Sequence, residues 1–269
     1  MTGAVLGMEL RKLRALRRTY LGLAGAAAIP VILLVALETG DGGPPDEVPF
    51  ARSVEGVGLA VPLFSLAFAT FFLLPLLASL VAGDVISGET GGGTLKTILT
   101  RSVTRPQVFR AKLLAAALYT VTLLVVQFAV GALAGSLVLG TGPLPTLSGT
   151  EMGFGRGLMI AALAALFAAI TVFTLASFSL LLSAATLNTV AAIGGTVILI
   201  VVLQVAAQFA SLEALRPYLV TEQGNAWFGL LRDPVDGRAL VRSVVVDACW
   251  AAPCLIGAYL IFTRRDVLS

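Results

Sequence analysis

Histidine occurs nowhere in this sequence of 269 residues. The side chain that titrates near neutral pH and most often binds zinc is missing, which argues against a metalloenzyme or a His-based acid–base site. Charge is scarce as well. Asp, Glu, Lys and Arg make up 12% of the chain, where a soluble domain carries about a quarter. The only cysteines, Cys249 and Cys254, lie five apart inside an apolar run, so buried thiols are expected rather than a disulfide or a metal pair. No serine in an apolar run has a Lys or His base beside it, and no pair of aspartates falls within one. Catalytic, cofactor-binding and metal residues are therefore all read as none. What is abundant is apolar: 58% of the residues are hydrophobic and the mean hydropathy is +0.97. That composition points to an integral membrane protein. The net charge of +3 is no sign of nucleic acid, because the basic residues gather at the ends of apolar runs rather than along one polar face.

A bilayer core about 30 Å thick needs about 20 apolar residues per helix. Six stretches qualify: 20–37, 58–82, 113–139, 157–182, 189–209 and 244–262. The expected fold is an all-α membrane domain of six spans that uses residues 1–269 as one unit. Pro30, Pro62, Pro75 and Pro253 fall inside these runs and would kink a span rather than abolish it. If both termini are cytoplasmic, twelve of the eighteen Lys and Arg lie inside, and the six outer ones face ten outer acids. The positive-inside rule therefore puts both ends in the cytoplasm. The basic flank and first apolar run read as a signal anchor, since the run is longer than a signal peptide's core. No internal repeat is evident, which counts against many secondary-carrier folds.

Three segments stand out against this background. Residues 1–18 form an amphipathic helix, with Leu6, Leu10, Leu13 and Leu16 on one face, Arg11, Arg14 and Arg18 on the other, and Arg17 beside Arg18. Such a helix would lie in the interface with its basic face toward headgroups or a protein; a frayed positive flank is the plainer alternative. Residues 83–112 form a polar, glycine-rich inner connection that would take force or a signal from a soluble partner. In it Asp84 and Glu89 are the acids, Ser87 is a candidate cap for a short helix, Gly91-Gly92-Gly93 permits a sharp turn, and Leu95, Ile98 and Leu99 mark a further amphipathic turn or two. Pro106 then opens the helix leading through Arg110 and Lys112 into the third span. The glycine run beside Lys96 is not a phosphate loop, because Thr94 and Leu95 interrupt the required order. Residues 210–243 form the longest polar connection, read either as a re-entrant lid on the outer side or as a loose loop, with Trp227 and Phe228 as interfacial anchors. Within the spans, Thr171, Thr174, Ser177, Gln204 and Gln208 are either packing contacts or a mildly polar cavity wall. Asp247 is placed near the outer end of its span, snorkelling or paired with Arg242 rather than serving as a proton relay.

In their order and spacing, Asp84, Ser87-Gly88-Glu89, Gly93-Thr94-Leu95, Thr104-Arg105 and Lys112 resemble the inner connection of type-2 ABC exporter permeases. Phe262-Thr263-Arg264-Arg265-Asp266-Val267 resembles that family's tail, while Gly91-Gly92 departs from a position often charged there. The resemblance implies a multi-pass permease of the bacterial cell membrane, paired with a second copy or a sister permease and seated on two separate ATPase subunits. ATP and Mg would be held by those partners and no cofactor by this chain. It also implies that Asp84, Ser87, Gly88, Glu89, Gly93, Thr94, Lys96 and Arg105 couple to the ATPase, with the helix of residues 1–18 as a second contact. Glu89 has a bland alternative as a helix cap or a salt-bridge partner of Lys96 or Arg101. Two functions outside this class stay open: an ATP-independent carrier or channel, and a membrane anchor or sensor subunit.

Overall fold

The computed structural model describes residues 2–39, 57–91 and 104–264, with only the backbone for Thr2 and residues 89–91. The elements in order are α1 (Thr2–Ala15), α2 (Arg17–Thr39), α3 (Ala60–Ala69), α4 (Leu73–Ala82), α5 (Asp84–Gly91) and α6 (Arg105–Val138). A two-residue hairpin follows, β1 (Leu144–Pro145) antiparallel to β2 (Glu151–Met152). Then come α7 (Phe154–Thr186), α8 (Thr189–Gln208), two 3-10 segments (Ala210–Tyr218 and Val220–Leu231) and α9 (Gly237–Arg264). Five helices, α2, α6, α7, α8 and α9, are each long and apolar enough to cross a membrane, and α3 with α4 passes the same test as a bent pair, either a broken sixth span or a re-entrant hairpin. The chain is a multi-pass, all-α membrane protein.

α7 is the central span: 56% of its most apolar stretch is buried, against 22% in α2 and α9. Alanines at 161, 164, 165 and 168 line its buried side, and small side chains there admit close neighbours. The outer faces of α2, α8 and α9 carry exposed Leu21, Ile32, Ile198, Val202, Val245 and Ile256, as lipid-facing surfaces should. α6 approaches the residues just before α3 backbone to backbone, because a Cβ added to Gly135 would sit 2.2 Å from the Gly58 carbonyl oxygen.

The kink expected in the second span is a full break, with α3 and the helix from Leu73 bent by 65°. Its chemistry begins at Pro75, the third residue of α4. A proline has no N–H, so the carbonyl of Phe71, four residues earlier, loses its helical donor. The Gln204 side-chain amide on α8 donates to that oxygen instead. Broken backbone at membrane depth needs such a replacement partner.

In the connection after α8 the segment Val220–Leu231 is packed rather than loose, while Ala210–Tyr218 buries no residue. Trp227 and Val220 are fully buried and Leu231 nearly so. Val220 sits among Leu175, Ile200 and Leu203, and the Leu231 carbonyl accepts from the Leu147 N–H at 2.9 Å. The cysteines are both free, but only Cys254 is buried; Cys249 is exposed, contrary to expectation. Asp247 neither snorkels nor pairs with Arg242. It is 1% exposed and accepts from the Thr171 hydroxyl at 2.7 Å, while the Arg242 guanidinium lies 5.9 Å from the Tyr218 ring centre.

Candidate functional site

At the end of the bundle that holds α1 and the end of α9, five segments converge: α1, α5, the start of α6, the end of α7 and the start of α8. Local sequence builds this junction. Thr104 N–H donates to Gln107 Oε1 at 3.2 Å, starting α6 where Pro106 was expected to start it. Leu187 takes a left-handed conformation, φ 54°, and ends α7. Asn188 Oδ1 then accepts from the N–H groups of Val190 and Ala191 at 2.9 and 3.1 Å, opening α8. This two-residue reversal delivers Thr189 beside α5.

Two polar nodes hold the junction. In the first, Asp84 is ion-paired with Arg18 and accepts from Thr189 Oγ1 at 3.1 Å. Ser87 does not cap α5; it lies inside the helix, and its hydroxyl donates to the Gly83 carbonyl at 2.7 Å. It also shares a 2.8 Å hydrogen bond with Thr189, while the Ser87 N–H donates to Ser183 Oγ at 3.0 Å. Asp84 and Ser87 thus clamp α5 to both α7 and α8. Gly88 packs on this node, and a Cβ there would meet Asp84 Oδ1 at 2.5 Å and displace that carboxylate.

In the second node, Lys112 is completely buried and ion-paired with Glu9 at 3.3 Å. Its Nζ also donates to the Val85 carbonyl at 2.8 Å. One ammonium therefore ties α1, α5 and α6 together. Glu9 was missed in the sequence because it interrupts the leucine stripe of α1. The buried residues of that helix are Val5, Glu9 and Leu13, with Leu6 and Leu10 half-buried. A spacing of four around an acid was the available signal. Between the nodes lies a cavity of about 190 Å³, lined by Glu9, Lys12, Leu13, Arg18, Asp84 and Gly88 among others.

The remaining nominees fall into three groups. Arg11, Arg14 and Arg17 are exposed on the α1 side of the junction, whereas Arg18 is turned inward. Arg105 donates to the Thr263 carbonyl at 3.1 Å, satisfying the end of α9. Gly93, Thr94, Lys96 and the expected turn around Leu95 to Leu99 lie outside the described residues, as does the Glu89 side chain. Far from the junction, Thr171, Thr174 and Ser177 are buried and hydrogen-bonded along or between helices. Gln204 and Gln208 line a second cavity of about 260 Å³ with Phe71, Ala207, Thr221 and Glu222, at the break of the second span.

The family model described as ABC-2 family transporter protein matches residues 5–202. The chain is also 36% identical over 97 residues to the probable ABC transporter permease protein NosY of Stutzerimonas stutzeri. That match takes in 34% of this chain and 32% of the relative.

Proposed function

Because the chain belongs to the ABC-2 family of transporter proteins, we propose that this transmembrane subunit is the permease of an ATP-driven exporter, coupled at the α1–α5–α6 junction to separate ATPase subunits. Association with ATPase subunits is what the family implies. Their number, two, and the pairing of this chain with a second copy or a sister permease are part of the proposal. So is the placing of ATP and Mg in the partner chains, and of both termini in the cytoplasm.

The observation that carries the reading is the Lys112 node. A helix terminus that receives a push transmits it only if it is fastened to the spans. Lys112 fastens α5 to α1 and α6, and Asp84 with Ser87 fastens it to α7 and α8. A displacement of α5 by a soluble motor would thus move three spans and α1 as one lever, the kind of element an alternating-access switch requires. Glu89 stands one residue beyond Gly88 on this lever and is the proposed contact with the motor. Gly93, Thr94 and Lys96 extend that contact, and Arg11, Arg14 and Arg17 supply the second one. The cavity at Gln204 and Gln208 provides hydrogen-bonding groups beside apolar walls, which suits amphipathic cargo.

A mild-detergent pull-down from native membranes, with mass spectrometry and an ATPase assay on the eluate, tests the assignment. Recovery of a subunit bearing a Gly-x4-Gly-Lys-Ser/Thr motif, with vanadate-sensitive turnover, is expected. Glu89→Ala should then insert and assemble normally but lose the link between ATP turnover and transport. Transport unchanged in that variant would remove Glu89 from the coupling role. A preparation free of ATPase at every detergent strength would favour the carrier or anchor alternatives.

A further inference from the structure

Asp247 presents a carboxyl group deep in the membrane domain with half of its hydrogen bonding unmade. It lies five residues past Arg242, about 7.5 Å along the α9 axis at 1.5 Å per residue. Its partner Thr171 stands seventeen residues beyond Phe154 in a helix of 33, so the group meets the middle of the central span. Thr171 Oγ1 donates to Oδ2, but Oδ1 is buried and has no partner. One helical turn earlier, the Ser243 hydroxyl is fully buried and equally without one. Ser243 and Asp247 stand four residues apart on one face of one helix, so their two orphan oxygens pose a single accounting question.

The surroundings supply no positive charge. α7 contributes Thr171, and the second 3-10 segment, which packs on α9, contributes only the exposed Glu222 as a titratable group. On α9 itself, Arg242 is engaged with Tyr218, and no basic residue among the described ones is ion-paired with Asp247. An ionised carboxylate left so would cost several kcal/mol in a medium without water. A metal cation is a poor remedy. Hard cations gather about six or more oxygens, and only two here lack a partner. A proton needs two oxygens, one to carry it and one to accept it.

We propose that Asp247 is a proton-binding site within the membrane, a neutral acid in this conformation whose proton lies between Oδ1 and Ser243 Oγ while Thr171 donates to Oδ2. Any movement that parts α9 from α7 breaks the Thr171 bond and lets water reach the carboxyl. The acid then gives its proton to that water and becomes a hydrated carboxylate; closing reverses the exchange, one proton per cycle of opening. The inference stands independently of the ATPase coupling above.

Infrared spectroscopy of the purified full-length chain in phosphatidylcholine bilayers at neutral pH is the test. The carbonyl stretch of a protonated carboxylic acid should be present, and Asp247→Asn, which keeps the size and neutrality of the group, should remove it. Ser243→Ala and Thr171→Val each delete one hydrogen bond and should keep the band but shift it to higher frequency. Absence of the band in the unmodified protein would overturn the proposal, as would its persistence in Asp247→Asn. Failure of both hydroxyl variants to shift it refutes the geometry even if the Asn variant does not fold. Disappearance of the band when sodium chloride replaces choline chloride would assign the site to a metal cation instead.

Discussion

Replacing Lys112 with Met keeps the four-atom stem and deletes the charge at the centre of the junction. Glu9, 3% exposed, would then be a buried carboxylate without its cation, and the Val85 carbonyl would lose its donor at 2.8 Å. Breaking a buried ion pair by removing one partner costs about 3–5 kcal/mol, because the remaining charge stays desolvated. At 1.4 kcal/mol per tenfold change, the equilibrium for α1 leaving the bundle should shift by roughly two to four powers of ten. Hydrogen exchange of the α1 amides reads this directly, since local opening sets their protection. Lys112→Met should expose α1 to exchange while the middle of α7 stays protected. The double variant Glu9→Leu with Lys112→Met removes both charges and should recover most of the protection, because a buried pair can be replaced by packed apolar groups at little cost. A single variant with unchanged α1 exchange would refute the reasoning. So would a double variant no better than the single one, which would place the penalty in the Val85 bond or in packing.

Gln204→Leu strips the donor from the Phe71 carbonyl and should lower thermal stability by about 1 kcal/mol, the net worth of one hydrogen bond. Adding Pro75→Ala restores a backbone N–H for that carbonyl and should offset part of the loss; no recovery would separate the break from Pro75. Gly135→Val should abolish folding or sharply reduce the melting temperature, because its Cβ would fall 2.2 Å from the Gly58 oxygen, whereas Gly155→Val, with nothing within 4 Å, should be tolerated. Trp227→Ala should cost about 3–5 kcal/mol in a melt, as expected for emptying a fully buried aromatic site. Leu215→Ala, at a side chain 53% exposed, should change little, and equal effects would mean the connection after α8 is not packed as described.

Apolar length was enough to locate the segments that become membrane helices, because a bilayer imposes a length rule that acts on each segment separately. The six apolar runs correspond to α2, the α3–α4 pair, α6, α7, α8 and α9. The start of α6 at Thr104–Pro106 was legible for a similar reason: a capping residue and a proline act within one turn. Asp84 and Ser87 could be singled out as polar residues in the inner connection, but not their partners. Arg18 read as one more cation on a basic face until α2 brought it against Asp84. Glu9 and Lys112 are 103 residues apart, and Thr171 and Asp247 are 76 apart. No periodicity links residues so distant, and only the crossing of helices makes a buried pair of them. The break at Phe71 shows the division most clearly. Pro75 foretold that one carbonyl would lose its donor, a covalent fact carried by the sequence. That Gln204, from another helix, would supply the replacement was decided by packing, because a side chain's neighbours are fixed only when its helix finds its place.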